Sequence, residues 1–174
     1  HLTPLAILIV IGAFPVTDAF VNHKKWRWLG LPQRVQQTRS LTWAAAFFIL
    51  NAALAVVSVS NIQSMQVATA NWLRDHTRKD QRIATNDIGA IGFITRRPIL
   101  DTVGLIEPAI VRHYEHGGSL LEYLQVRRLG YLAIFPLWYP EIAERDDLFE
   151  QMHKESIRLN VVCGGRELVC YRRR

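Results

Sequence analysis

Cysteine is scarce. Cys163 and Cys170 are the two cysteines in 174 residues, which excludes a disulfide framework as the main source of stability. They stand close together near the end of the chain, and outside the cytoplasm such a pair can close. A turn centred on Arg166 and Glu167 sets them face to face across a hairpin. A turn at Gly164-Gly165 is better turn chemistry and sets them out of register. One bridge, two free thiols and two buried thiols all remain open.

A secretory leader pattern is also missing. The chain starts with His1 and enters an apolar run from Leu5 to Ile11. No positive stretch precedes that run, and no small-residue cleavage site follows it. The expectation is that His1 is not the natural start and that residues precede it. P-loop, zinc-ribbon and haem-attachment motifs are absent, and Ser119 and the other serines lie in no recognisable nucleophile context. No cofactor is implied.

The net charge of +6 suggests nucleic acid until it is divided along the chain. Residues 21–40 hold Lys24, Lys25, Arg27, Arg34 and Arg39 and no acid. From residue 41 onward there are 16 basic and 14 acidic residues. A nucleic-acid binder shows a basic face on the folded domain itself. The near balance after residue 41 excludes one here, so no nucleic-acid partner is expected.

What the chain does have is apolar sequence at its start. Leu41 to Val59 carries no charge and one strongly polar side chain, Asn51. About 20 apolar residues in a helix cross a hydrocarbon core of roughly 30 Å, and a helix satisfies its own backbone groups in lipid. Trp43 stands near one end, where indole rings favour the interface. Leu5 to Phe20, interrupted by Pro15 and ended by Asp18, fits part of another span. The basic linker Val21 to Ser40, with Trp26 and Trp28, marks the cytoplasmic side, because lysine and arginine near spans stay inside. Residues 1–20 are therefore read as a partial transmembrane helix, 21–40 as a cytoplasmic linker and 41–60 as a transmembrane helix. Residues 61–174 then form an extracytoplasmic domain, with the lipid bilayer as partner.

Past Asn61 the texture changes. A rough helical stripe runs to Asp80. Strands are expected at Arg82 to Thr85, Ile99 to Thr102 and Tyr131 to Phe135. Helices are expected at Ile88 to Thr95, Pro108 to His116, Ser119 to Leu129 and from Pro140 to about His153. Ser156 to Cys163 and Glu167 to Tyr171 then read as a closing hairpin around Gly164-Gly165. Strands alternating with helices imply a small α/β domain with a mostly parallel sheet, to which the hairpin adds an antiparallel edge.

Several segments can carry chemistry. Asp87 ends a strand and is a good N-cap for the next helix. Gly89 and Gly92 share one helix face and allow close backbone approach. A strand, a glycine turn and a helix N-terminus can cradle a phosphate, although the first glycine of the dinucleotide fingerprint is replaced by Asp87. Tight strand–helix packing is the plainer reading. His113 and His116 share a helix face near Glu107 and Glu115, which suits either a metal or helix capping. No further ligand converges on them, so no metal is expected. Glu141, Glu144, Asp146, Asp147 and Glu150 read as one solvated helix face. Tyr131, Trp138 and Tyr139 can stack on a sugar ring or pack a core.

The run from Asp87 through Gly89 and Gly92 to Phe93, followed by Asp101-Thr102-Val103-Gly104-Leu105, resembles the C-terminal region of bacterial polytopic glycosyltransferases of the GT-C type, the aminoarabinose-transferase-like proteins among them. The similarity covers about 30 residues. It implies a plasma-membrane protein that takes sugar from a polyprenyl-phosphate donor on the extracytoplasmic face. The family's catalytic acids lie in its first external loop, and this chain holds no counterpart of that region. Asp87, Gly89, Gly92, Asp101 and Gly104 match the tail motif, with family-motif or substrate-binding roles, and the catalytic residues remain unknown. The expectation is the C-terminal portion of such a protein, inactive alone. The alternative is a non-catalytic, membrane-anchored accessory subunit that contacts other membrane protein chains.

Overall fold

A computed structural model describes residues 33–127 and 129–174, with the backbone alone for 33–40. The partial span over 1–20 and most of the linker over 21–40 lie outside the described residues. The chain divides between Val56 and Val57.

Helix α1 spans Gln33–Ile62. It belongs to a helical stretch long and apolar enough to cross a membrane, with a mean hydropathy of 2.0 in its most apolar window. None of residues 41–60 is buried. Asn51 donates from Nδ2 to the Phe47 carbonyl at 2.8 Å, one turn back. The polar group of this run is thus satisfied inside its own helix, as an apolar surrounding requires.

The helix continues as a π-helical turn, Gln63–Val67, and then as α2, Ala68–His76. Next come β1 (Ile83–Thr85), α3 (Ile88–Thr95), β2 (Ile99–Asp101), α4 (Pro108–Glu115), α5 (Leu120–Gln125) and β3 (Tyr131–Ile134). A 3-10 turn at Pro136–Trp138 and a short α6 (Pro140–Ala143) lead to β4 (Phe149–Ser156) and β5 (Glu167–Arg173). The sheet order is β2-β1-β3-β5-β4. β1 pairs in parallel with β2 and β3, and β5 is antiparallel to β3 and β4. The sheet is evenly mixed rather than mostly parallel.

Sequence alternation explains the layers. β3 is buried along its whole length. Its Tyr131 and Ala133, with Phe135 just beyond it, join the core with Met65, Leu73 and Ile91 of the π turn, α2 and α3. Its Leu132 and Ile134 join the other core with Ile110, Leu120, Leu124 and Ile142 of α4, α5 and α6. A strand side chain changes face at every residue, so β3 serves both cores. β2 and β3 flank β1 on opposite sides. Right-handed crossovers therefore put α3 on one face and the α4–α5 pair on the other.

Two expected elements differ. The helix from Pro140 stops at Ala143, and Phe149–Ser156 is a strand. β4 is the sheet edge. Its mixed polar sequence hides the two-residue period, because an exposed edge is better covered by charge than by apolar residues. Cross-strand pairs stand in for that period: Arg172 Nη2 reaches Glu150 Oε2 at 2.5 Å and Lys154 Nζ reaches Glu167 Oε1 at 3.0 Å. The strand expected at Ser156 to Cys163 is instead mostly the connection into β5. Cys170 lies in register with His153 and with Ala133, and both cysteines are free thiols.

Candidate functional site

Chains leaving β1 and β3 turn to opposite faces of the sheet. Ligands of open α/β sheets settle in the crevice at such a switch, beyond the carboxyl ends of the strands. Here that edge gathers Asn86 and Asp87 after β1, Thr102 after β2, and Phe135 after β3.

Asp87 stands at the N-cap of α3, yet its side chain caps nothing there. Its Oδ2 instead accepts from Nε2 of Gln66 at 2.8 Å. The same Gln66 nitrogen lies 3.3 Å from Sγ of Cys163, and the thiol lies 3.5 Å from Gln66 Oε1. Gln66 is buried in the π-helical turn, a geometry found often at functional sites. Burial raises the Cys163 thiol above its usual range; the Gln66 hydrogen bond opposes this, and the Asp87 charge adds to it. The sulfur is held protonated and is no activated nucleophile.

Asn86 is 8 % exposed. Its Nδ2 and Oδ1 are both buried without a hydrogen-bond partner among the described residues. Leaving such groups unpaired costs about 1–3 kcal/mol each. The amide can donate two hydrogen bonds and accept two, which suits binding rather than bond breaking.

Gly89 and Gly92 part company. A side chain at Gly92 would meet Ile99 Cγ1 of β2 at 3.4 Å, whereas one at Gly89 would meet Asp87 Oδ1 at 3.9 Å. Gly92 thus serves helix–strand packing, and the space beside Gly89 is open.

Asp101, fully buried, closes a loop. Its Oδ1 accepts from the Val103 amide at 2.9 Å and its Oδ2 from the Ile106 amide at 2.8 Å. Gly104 sits between them at φ 95°, a backbone state that glycine adopts freely. A β-carbon there would collide with Val111 Cγ2. Two hydroxyls pin the start of this loop: Tyr114 donates to the Thr102 carbonyl at 2.9 Å and Tyr139 lies 3.3 Å from the same oxygen. Burial, first, raises both phenols. Both oxygens of the Asp101 carboxylate are thus engaged by the backbone of its own loop.

The other expected groups are placed apart. His113 Nε2 faces the Ser119 carbonyl at 2.9 Å and His116 Nδ1 faces the Arg112 carbonyl at 2.6 Å. These are capping contacts, and no cluster of three metal-ligating side chains occurs among the described residues. Glu107 accepts from the Tyr123 hydroxyl at 3.0 Å. Ser119 and Glu122 form a capping box. The acidic group divides: Asp147 pairs with Arg145, and Glu150 lies on β4. Tyr131 is core, and Trp138 Nε1 donates to the Gly164 carbonyl at 2.8 Å. Gln66, Asn86 and Asn61 carry weight that the sequence reading did not give them. Gln66 and Asn61 stand among other amides, Gln63 and Asn71, so the sequence does not single them out.

Residues 58–169 match the family model described as a domain of unknown function, DUF8728, and the chain belongs to that family. No curated protein and no solved structure matches the chain.

Proposed function

We propose that the chain is the C-terminal portion of a polytopic membrane protein of the GT-C glycosyltransferase type. Its α/β domain stands on the extracytoplasmic side and contributes binding and support, and the sugar transfer itself belongs to other parts of the protein. One observation carries this reading. The uncharged helix from Leu41 to Val59 passes without a loop into the domain that bears the Asp87–Phe93 and Asp101–Leu105 segments. The chemistry of those segments agrees with a supporting role: both oxygens of Asp101 are engaged by its loop, one oxygen of Asp87 accepts from Gln66, and burial raises the nearby thiol. The basic stretch at 21–40 supports the sidedness.

The test uses membranes from cells with the intact gene and from cells in which it is disrupted, each given a radiolabelled polyprenyl-phosphate sugar. Transfer of label that disappears with the gene supports the reading. Equal transfer in both overturns it in favour of an anchored accessory subunit.

A further inference from the structure

We propose that the carboxyl edge of the sheet is a membrane-docking face. It rests on the bilayer surface through Leu105, Ile106, Leu137, Trp138, Leu159 and Val162, with Arg158 and Arg166 set for anionic lipid headgroups. This deepens the anchored-domain reading above and rests on it.

All six apolar side chains are exposed, Leu105 at 74 %, Leu137 at 85 % and Leu159 at 63 %. Scattered apolar residues are normal on a surface, but grouped ones mark an interaction site. These are grouped by topology. Leu105 and Ile106 follow β2, and Leu137 and Trp138 follow β3. Leu159 and Val162 lie in the connection that enters β5, which is antiparallel to β3, so that connection lies at the same edge.

The three loops are tied to one another and are internally fixed. Thr102 Oγ1 and the Tyr139 hydroxyl lie 3.1 Å apart, joining the first loop to the second. Trp138 Nε1 donates to Gly164, joining the second to the third. Asp101 holds the first loop by two backbone amides. In the third, Asn160 Oδ1 accepts from the Cys163 amide at 2.8 Å, and its Nδ2 donates to the Cys163 carbonyl at 2.8 Å. The apolar side chains are therefore held outward, in contact with water, by loops that are fixed from within.

Two observations select lipid as the occupant. Asn61 fastens the third loop, donating to Leu159 and accepting from Val161, each at 2.9 Å. Asn61 stands two positions after Val59, where the apolar run gives way to serines and amides, and Val59 is itself exposed. The docking surface is thus continuous with the end of the apolar helix. The second observation is charge. The connection 157–166 carries Arg158 and Arg166, both exposed, and no acid. The acids Asp101, which ends β2, and Glu107, which follows it, lie at the other end of the sheet from this connection, and Asp87 accepts from buried Gln66. Tryptophan and arginine beside aliphatic residues suit the interfacial layer. The opposite edge is different: Val126 stands there among Asp80, Gln81, Arg82, Arg127 and Arg173 around an open cleft.

The test reconstitutes the full chain into vesicles of phosphatidylcholine with phosphatidylglycerol. Cys163→Ala is the background, and buried Cys170, whose thiol is pushed up to about 12, stays unlabelled. Single cysteines replace Leu105, Leu137, Leu159 or, as a control, Val126, and carry an environment-sensitive fluorophore. The expected result is loss of most emission at the first three positions to spin labels on lipid chains, with emission at 126 lost only to a water-soluble quencher. Arg158→Gln with Arg166→Gln is expected to abolish any difference between anionic and neutral vesicles. A chain that floats with vesicles while all four probes respond to the water-soluble quencher overturns the docking face alone. Probes at the first three positions shielded from both quenchers point to a protein partner and overturn the lipid. A chain that does not float with vesicles overturns the anchored reading as well.

Discussion

Asn61 donates from its carboxamide nitrogen to the carbonyl of Leu159 at 2.9 Å, 98 positions further along the chain. Its oxygen accepts from the Val161 amide at 2.9 Å. One buried side chain at the end of the long helix thus replaces two backbone partners of the connection into β5.

Asn61→Ala leaves both backbone groups unpaired and lowers stability by about 2 kcal/mol, the range for lost buried hydrogen bonds. Denaturant midpoints of the full chain in detergent micelles check this. Hydrogen exchange at the Val161 amide is expected to quicken in the variant, while exchange at Leu132 in β3 follows the global change only.

Asp101→Ala removes two charge-assisted hydrogen bonds inside a core and is expected to cost about 3 kcal/mol. Gly104→Ala strains a residue at positive φ and drives its methyl group into Val111, so the expected cost exceeds that of the strain alone, about 1–3 kcal/mol. If the loop is built around the carboxylate, the double variant loses less than the sum. Additive losses mean that the two residues act separately.

The two glycines of α3 give opposite readings. Gly89→Ala adds a methyl group in open space on a helix and is expected to stabilise by about 0.5–1 kcal/mol. Gly92→Ala brings a methyl group to 3.4 Å from Ile99, which offsets the same helical gain, and little change is expected. Thermal midpoints of the two variants distinguish them.

The sequence carried the α/β class, β1, α3, β2, α4 and β3, because their apolar runs are flanked by Gly, Pro and capping residues. It also carried the apolar helix, since 19 positions without a charge have few readings. It did not carry β4. An edge strand such as Phe149–Ser156 shows no alternation, and its register is set by partners far away in the chain. The motif residues were legible as a pattern and illegible as chemistry. The Asp87 carboxylate points to capping by local rule, but a glutamine from the preceding helix takes it. The Asp101 carboxylate is spent inside its own loop, which only the fold reveals. Asn86 gives no sign in sequence of being a buried, unpaired amide.

Burial raises the Cys170 thiol from 9.0 to about 12 and raises the phenols of Tyr114, Tyr139 and Tyr171 from 10.0. The folded state keeps these protons where the unfolded chain has released them, so stability falls as pH rises. The expected profile is flat for these groups up to about pH 8 and declines above about pH 9, near the unfolded thiol value. Denaturant midpoints across pH 7 to 11 check this, and Cys170→Ala is expected to shallow the first part of the decline.

The sidedness of the domain decides the account most directly. The measurement is labelling of Val126→Cys, in the Cys163→Ala background, by a membrane-impermeant maleimide in right-side-out and inverted membrane vesicles. Val126 is 80 % exposed, so a reagent on the correct side reaches it. The account predicts labelling in right-side-out vesicles and protection in inverted ones. Labelling in inverted vesicles alone would place the domain in the cytoplasm and contradict it.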